Sequence, residues 1–249
     1  MIYYEKTGSG PPILFLHSLG SSHEEWNYQK QLLSAHYTVI TPDLRGHGKS
    51  IKHGPFTIKQ HVLDIQNLHL GPVVVVGFSY GACVALQLAL QSPELVKSLI
   101  LISPTSRIQD INYWQRLWRW ILITCTSMQT IAKAIAFSLF PRSDQTHLRL
   151  QCEEHLAAND KKIYKALCED LETFDVTGEL HTITCPALLI VGEHDPLLPR
   201  FHAEKMLARL PHAKLEIIAG ARHAVTLDSP YEFMQLLVDH LTSITPVTH

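Results

Sequence analysis

Six short, almost continuous apolar runs are the feature that most constrains how this chain can fold. They are rich in Val, Ile and Leu and cover residues 13–16, 37–40, 73–76, 99–102, 187–191 and 215–218. A strand with one solvent-exposed face alternates apolar and polar residues. A short run without that alternation is typical of a strand buried on both faces of a parallel sheet. The pattern therefore predicts a parallel sheet with both faces covered.

Segments with helical spacing lie between several of these runs, at 24–33, 57–68, 80–90, 202–210 and 231–241. Strands alternating with helices indicate an α/β fold with a mostly parallel sheet flanked by helices. The alternation stops between residues 104 and 182, where we predict four helices (112–124, 128–140, 146–159 and 161–173). We therefore expect a core domain of residues 1–103 and 183–249, with residues 104–182 inserted as a helical cap. Open sheets of this kind bind ligands beyond the carboxyl ends of their strands.

The bulk properties exclude several classes of function. A formal net charge of −2 over 249 residues offers no basic surface for nucleic acid. No apolar stretch of roughly 18 residues predicts a membrane span, and the first residues lack a signal-peptide pattern. Five cysteines without a CxxC pair favour reduced thiols, so we expect a cytoplasmic enzyme. No spacing of histidines and carboxylates predicts a metal site, we expect no cofactor, and the oligomeric state stays open.

The strongest local motif is Gly77-Phe78-Ser79-Tyr80-Gly81, which matches G-x-S-x-G. It follows an apolar run directly and is followed by a helical segment. A serine hydroxyl reaches a substrate only where the chain turns sharply between strand and helix, and the two glycines leave room for that turn. The helix start also places backbone N–H groups where negative charge develops in acyl transfer. We therefore predict Ser79 as a nucleophile rather than a solvated turn residue.

A serine nucleophile needs a base, and the base needs an orienting carboxylate. His223 stands in the loop after run 215–218, and Asp195 follows run 187–191. The chain order Ser, Asp, His is the one that accompanies G-x-S-x-G turns of this kind. We predict Asp195 as the acid and His223 as the base. Glu193 is the rival acid, and His194 is interpreted as a structural residue.

Four further segments accompany the G-x-S-x-G motif: 17–22 (HSLGSS), 43–50 (DLRGHGKS), 192–196 (GEHDP) and 220–223 (GARH). Together they resemble the α/β-hydrolase superfamily, and within it capped esterases and lactonases similar to 3-oxoadipate enol-lactonases. The resemblance spans essentially the whole chain and implies the α/β-hydrolase fold. It also implies an oxyanion hole formed by the backbone N–H groups of Leu19 and Tyr80. Many relatives have His-Gly where this chain has His17-Ser18, and His17 is interpreted as a buried residue that holds this loop.

These residues predict a serine hydrolase whose partner is a small-molecule carboxylic ester or lactone. Two alternatives remain: hydrolysis of a C–C bond in a dicarbonyl substrate by the same triad, and a non-catalytic ligand-binding protein on the same fold. The stretch 113–120 (YWQRLWRW) predicts a cap helix. We expect an apolar cleft roofed by residues of the cap, namely Trp114, Leu117, Trp118, Ile121, Ile135, Phe137 and Phe140. If Arg116 or Arg119 faced this cleft, the site would prefer anionic substrates.

Overall fold

One sheet of seven strands organises the computed structural model, which describes residues 1–244. The strands are β1 (Tyr4–Thr7), β2 (Pro12–Leu16), β3 (Thr38–Pro42), β4 (Val73–Phe78), β5 (Val96–Ile102), β6 (Ala187–Gly192) and β7 (Ala213–Ile218). Across the sheet they follow the order β1-β3-β2-β4-β5-β6-β7. β1 is antiparallel to β3, and every other neighbouring pair is parallel. The predicted mostly parallel sheet is confirmed.

Ten α-helices lie within residues 1–244. They are α1 (Asn27–Leu33), α2 (Ile58–Gln66), α3 (Tyr80–Gln91), α4 (Tyr113–Cys125), α5 (Met128–Leu139), α6 (Thr146–Ala157), α7 (Lys161–Glu172), α8 (Phe201–Leu207), α9 (Val225–Asp228) and α10 (Pro230–Ile244). Each predicted helix overlaps one of these, although 24–33 begins as a short 3-10 turn before α1. None of the helices within residues 1–244 is long and apolar enough to cross a membrane.

The two faces of the sheet explain why its strands have continuous apolar runs. In β2, Leu14 and Leu16 pack into a core shared with α2, α3 and α8, whereas Ile13 and Phe15 pack into a core shared with α1 and α10. Successive side chains of a strand point to opposite faces, so a strand covered on both sides has no position for a solvated residue. The six predicted runs correspond to β2–β7. The expectation of burial on both faces is wrong for β7, which lies at a sheet edge and has half of its residues exposed.

Strand β1 was not predicted, because no apolar run marks it. It is four residues long and mostly exposed, with the sequence YEKT. It lies at the sheet edge and, among residues 1–244, pairs only with β3, from Tyr4 opposite Pro42 to Thr7 opposite Val39. A short polar edge strand is held by backbone pairing rather than by burial, so hydrophobic patterning does not reveal it.

Helices α4–α7 follow one another between β5 and β6, as predicted for residues 104–182. Side chains cap three of their first turns: Asn112 accepts from Trp114 N, Ser127 from Thr130 N, and Asp160 from Lys162 N and Ile163 N. These helices share a small apolar core of their own, against which Leu19 of the main fold also packs. Between residues 104 and 182 the only pairing of extended chain is a single bridge from Arg107 to Asp175.

Candidate active site

Ser79 occupies a strained turn between β4 and α3. Its φ is +52° and its ψ is −107°, a backbone conformation that is costly for a residue with a side chain. A Cβ on Gly77 would lie 2.5 Å from the carbonyl oxygen of Gly81, and one on Gly81 would lie 2.2 Å from that of Leu16. No other residue fits at either glycine without moving backbone. The predicted tight turn is present, and it keeps the serine partly exposed.

Three polar side chains from three loops meet at this turn. Nε2 of His223 lies 3.0 Å from Oγ of Ser79, and Nδ1 of His223 lies 2.7 Å from Oδ2 of Asp195. A proton on Nδ1 directed at the carboxylate leaves the Nε2 lone pair facing the serine hydroxyl. This is the geometry in which an imidazole can remove a proton from the serine and a carboxylate can stabilise the resulting imidazolium.

The environment of Asp195 favours its ionised form. Its other oxygen, Oδ1, accepts from the backbone N–H groups of Leu197 and Leu198, each at 2.9 Å. Burial by itself raises the pKa of Asp195. The charge and hydrogen bond of His223, helped by the Leu198 and Leu197 N–H groups, outweigh burial and hold this pKa below its ordinary value. The carboxylate is therefore charged at neutral pH and fixed in orientation.

The loop that carries His223 is fixed against the loop that carries Asp195. His194 N donates to Ala221 O at 2.9 Å, and Ser103 Oγ donates to the carbonyl oxygen of His223 at 3.0 Å. A Cβ on Gly192 would stand 2.1 Å from the carbonyl oxygen of Arg222, so only glycine permits this approach. Neighbouring strand ends thus bring together residues that lie far apart in sequence.

Glu193 does not reach His223. Its carboxylate accepts from Gly220 N at 2.8 Å on an exposed part of the loop. His194 is also exposed, with Nε2 3.7 Å from the Glu193 carboxylate. Between the two acids considered from the sequence, only Asp195 contacts the imidazole.

The two N–H groups predicted for the oxyanion hole lie on adjoining segments. Tyr80 is the first residue of α3, where backbone N–H groups have no partner inside the helix. Leu19 lies in the loop after β2, which abuts the start of α3 at Gly81. Within residues 1–244 neither N–H donates to another protein group. Both are therefore available to a substrate oxygen.

Three buried histidines support the loops beneath this site. His17 Nδ1 bonds to Ser18 O at 2.8 Å, and its Nε2 accepts from Leu44 N at 2.9 Å, which agrees with its predicted role in holding the loop. Its ring packs edge-on against His47, and His61 lies beyond. Desolvation lowers the pKa of each of these histidines to about 3, so all three are neutral over the ordinary pH range.

Three of the aromatic residues expected to line the cleft are placed differently. Trp114, Trp118 and Phe137 are 66%, 70% and 59% exposed, so that expectation is wrong for all three. Both arginines of α4 engage one carboxylate of α7: Arg116 Nε lies 2.9 Å from Glu172 Oε2, and Arg119 contacts Glu172 Oε1. The apolar period of α4 predicted a helix correctly but did not reveal which neighbours cover it.

Sequence reasoning also missed residues that help to build the site. Ser103 follows β5 in a left-handed conformation, with φ of +45°. Asp228 accepts from Arg222 N at 2.8 Å and closes the turn that follows His223. Glu25 contacts Ser18, the residue before Leu19 in the loop after β2. A polar residue directly after a strand beside β4 is a signal that could have identified Ser103. Among residues 1–244 no group of three His, Cys, Asp or Glu side chains could hold a metal ion.

Comparison with known proteins places this chain in a family. The family model described as alpha/beta hydrolase matches residues 13–236. The chain is 27% identical to 3-oxoadipate enol-lactonase 2 of Acinetobacter baylyi over 231 residues, 90% of this chain and 85% of that protein. It is 28% identical to a pimeloyl-acyl-carrier-protein methyl ester esterase of Nitrosomonas europaea over 245 residues, covering 94% and 96% of the two chains.

Solved structures with a similar fold point to the same family. An esterase from Exiguobacterium antarcticum superposes with a TM-score of 0.89 and 26% sequence identity, over 97% of this chain and 95% of that one. The resemblance drawn from the motifs is confirmed, as is the α/β-hydrolase fold. The chain therefore belongs to the alpha/beta hydrolase family and is a hydrolase.

Proposed function

We propose that this hydrolase cleaves carboxylic esters or lactones through an acyl-enzyme on Ser79. The observation that carries the proposal is the chain of two contacts from Ser79 Oγ to His223 and from His223 to Asp195, at 3.0 Å and 2.7 Å. His223 Nε2 takes the hydroxyl proton as Oγ attacks the acyl carbon. Asp195 stabilises the imidazolium, which then protonates the leaving alkoxide. Water, deprotonated by the same imidazole, releases the acid and restores the serine.

The negative charge of each tetrahedral intermediate needs donors that are oriented in advance. The N–H groups of Leu19 and Tyr80 are free to act as these donors, which supports them as the oxyanion hole. The helix start at Tyr80 adds a favourable dipole at the same place. Esters and lactones also fit the relatives, which include an enol-lactonase and a methyl ester esterase.

We further propose that residues 104–182 form a cap over this site, inserted into a core of residues 1–103 and 183–249. Residues 245–249 of this range lie outside the part of the chain that the structure describes. Helices α4–α7 have a separate apolar core, and Leu19, the proposed oxyanion residue, packs against it. Half-buried Ile135 and Cys152 pack against the same core. This apolar surrounding favours uncharged acyl or alcohol groups of short to medium length.

The first test of this function is covalent labelling with a fluorophosphonate probe and hydrolysis of p-nitrophenyl esters from acetate to palmitate. Ser79→Ala is expected to abolish labelling and to lower kcat on the order of a millionfold, because the triad acts as a unit. The matched control is Ser92→Ala, which changes a buried serine at the opposite end of α3. Near-normal turnover by Ser79→Ala would contradict the proposal.

Adding a lactone, a dicarbonyl substrate and a carboxylated ester to this panel separates the other candidate activities. A wild-type protein that neither labels nor turns over any ester or lactone would indicate a ligand-binding protein on this fold. Turnover restricted to a dicarbonyl substrate would indicate C–C bond hydrolysis. Rates that rise steadily to palmitate would contradict the proposed preference for groups of short to medium length. A strong preference for a carboxylated ester would contradict the proposed preference for uncharged groups.

A further inference from the structure

Glu25 makes two short contacts to the loop that carries Leu19. Ser18 N donates to Oε2 of Glu25 at 2.7 Å, and Ser18 Oγ donates to Oε1 at 2.6 Å. One carboxylate therefore holds both polar donors of a single residue. Two hydrogen bonds from one residue to the two oxygens of a carboxyl group fix the orientation of both partners.

The contact is unexpected from the local sequence. Ser22-His23-Glu24-Glu25 matches the S-x-x-E pattern of a capping box, in which the glutamate returns to the N–H of the serine. In the structure Ser22 Oγ accepts from Glu24 N at 3.3 Å, and the Glu25 side chain turns to Ser18 instead. Part of the Glu25 side chain stays accessible, but its carboxyl group is enclosed by protein atoms.

Enclosing a carboxylate is costly, and that cost is visible at Glu25. Burial raises the pKa of Glu25 to about 7, against the opposing effects of hydrogen bonds from Ser18 and Ser21 and the charge of His223. An apolar side chain would fill the same space without a desolvation penalty. The carboxylate therefore has a role other than simple packing.

The planar peptide between Ser18 and Leu19 links this contact to the oxyanion hole. Ser18 O accepts from His17 Nδ1 at 2.8 Å and from Ser21 N at 3.2 Å. In a trans peptide the C=O and the following N–H point in opposite directions, so fixing Ser18 O directs the N–H of Leu19 away from His17. On the other side of Ser18, its backbone nitrogen and its hydroxyl both donate hydrogen bonds to Glu25.

We propose that Glu25 is a positioning residue that holds Ser18 so that the Leu19 N–H stays directed at the developing oxyanion. It acts through Ser18 and does not touch the reacting atoms. The proposal rests on the proposed ester or lactone hydrolysis, because only an acyl transfer makes this oxyanion. A glycine at position 18, as in many relatives, has no hydroxyl to clamp, so the device is a property of the Ser18–Glu25 pair.

The test compares kcat and KM of four variants on a p-nitrophenyl ester that the wild type hydrolyses. Glu25→Ala is expected to lower kcat about 10- to 100-fold, less than outright removal of an oxyanion donor, with KM changed less than about threefold. Glu25→Gln keeps an acceptor for Ser18 N and can donate to Ser18 Oγ, so it should recover most of kcat. Ser18→Ala retains one of the two bonds and should lie between. Glu24→Ala is the matched control, since Glu24 is an exposed neighbour in the same turn.

A second measurement reports on the oxyanion hole directly. The inhibition constant of a trifluoromethyl ketone, which forms a tetrahedral adduct, should rise for Glu25→Ala in step with the loss of kcat/KM. Binding of the corresponding alcohol, which forms no adduct, should stay unchanged. If Glu25→Ala does not fold, as judged by circular dichroism, Glu25→Gln and Ser18→Ala decide the question with the same two readouts.

Three results would overturn the inference: kcat for Glu25→Ala within twofold of Glu24→Ala, a loss confined to KM, or an inhibition constant that does not follow kcat/KM. In the event that Glu25→Ala is unfolded, kcat for Ser18→Ala equal to wild type would overturn it. Failure of the proposed function looks different. There, the wild type itself shows no hydrolysis that depends on Ser79, and both proposals fail together.

Discussion

At the scale of single residues, the proposed site depends on which carboxylate faces His223. Asp195 and Glu193 stand two positions apart on the same loop, yet only Asp195 contacts the imidazole, while Glu193 binds Gly220 N. The short side chain of Asp195 accepts hydrogen bonds from the N–H groups of Leu197 and Leu198 in its own turn, which fix its orientation. The longer side chain of Glu193 lies on the exposed side of the loop and points away from His223.

This placement predicts opposite outcomes for two conservative substitutions. Asp195→Asn should lower kcat on the order of ten-thousandfold, because an amide at this position favours the wrong imidazole tautomer. Glu193→Gln is the matched control and should leave kcat within about twofold, since its oxygen can still accept from Gly220 N. Steady-state kinetics on one ester decides the matter, and a reversal of the two effects would make Glu193 the acid.

Glu25 shows a limit of motif reading at the same scale. The S-x-x-E pattern at Ser22 predicts a local cap, and nothing in the adjacent sequence indicates that the carboxylate binds Ser18 instead. The decision depends on where the loop after β2 runs relative to this turn. That is a tertiary property, because the competing partners are offered by separate segments.

At the scale of elements, the carboxyl ends of neighbouring parallel strands bring the residues of the site together. The sheet places β4, β5, β6 and β7 side by side, and the residues that follow them include Ser79, Ser103, Asp195 and His223. Gly192, the last residue of β6, allows the loop after β7 to pass close over it.

This close approach predicts that Gly192→Ala disrupts the site from a distance. The new Cβ would meet the carbonyl oxygen of Arg222 at 2.1 Å, so the loop bearing His223 must shift. A displacement of that loop should lower kcat at least about 100-fold, because the imidazole loses its alignment with the serine. Gly178→Ala is the matched control, with no atom within 4 Å of the added Cβ. Activity equal to that control would contradict the argument.

The helices between β5 and β6 show what an element pattern leaves open. The sequence predicted all four of them, and the structure shows side-chain caps at Asn112, Ser127 and Asp160. It did not predict that Trp114 and Trp118 remain exposed while Ile123 is buried. A helical period identifies an apolar stripe, whereas the neighbours that cover a stripe are set by packing.

At the scale of the whole molecule, the buried histidines tie stability to pH. His17, His47 and His61 have pKa values lowered to about 3 in the folded chain, against an ordinary value of 6.5. The folded state therefore stays neutral where the unfolded chain takes up protons. The stabilisation is fully present above pH 6.5 and is lost progressively as pH falls from 6.5 towards 3.

We expect the free energy of unfolding to decrease steeply with acid. Each histidine contributes a slope of about 1.4 kcal/mol per pH unit within this window. Glu25, whose pKa burial raises from 4.5 to about 7, opposes one of the three where the two windows overlap, so the net slope there is roughly 3 kcal/mol per unit. With an overall stability of roughly 5–15 kcal/mol, the protein should unfold below about pH 5. Urea titrations at several pH values measure the slope, and a flat profile between pH 6.5 and 4 would contradict it.

His61 provides the sharper version of this test, because neither of its ring nitrogens has a partner within residues 1–244. His61→Leu should reduce the slope by about 1.4 kcal/mol per pH unit, one proton's worth, between pH 6.5 and 4. His36→Gln, which changes an exposed histidine, should leave the slope unchanged. An unchanged slope in His61→Leu would show that this ring is protonated in the folded state.

The sequence by itself determined the class of fold, the six strands β2–β7, nine of the ten helices within residues 1–244, and the residues Ser79, Asp195 and His223 as candidates. It could do so because burial on both sheet faces, helical period and the strained G-x-S-x-G turn each leave a local pattern. Only the tertiary structure decided the polar edge strand β1, the contact from Glu25 to Ser18, and the exposure of Trp114 and Trp118. Each of these depends on which segments become neighbours, and such contacts leave no trace in the order of residues along a single segment.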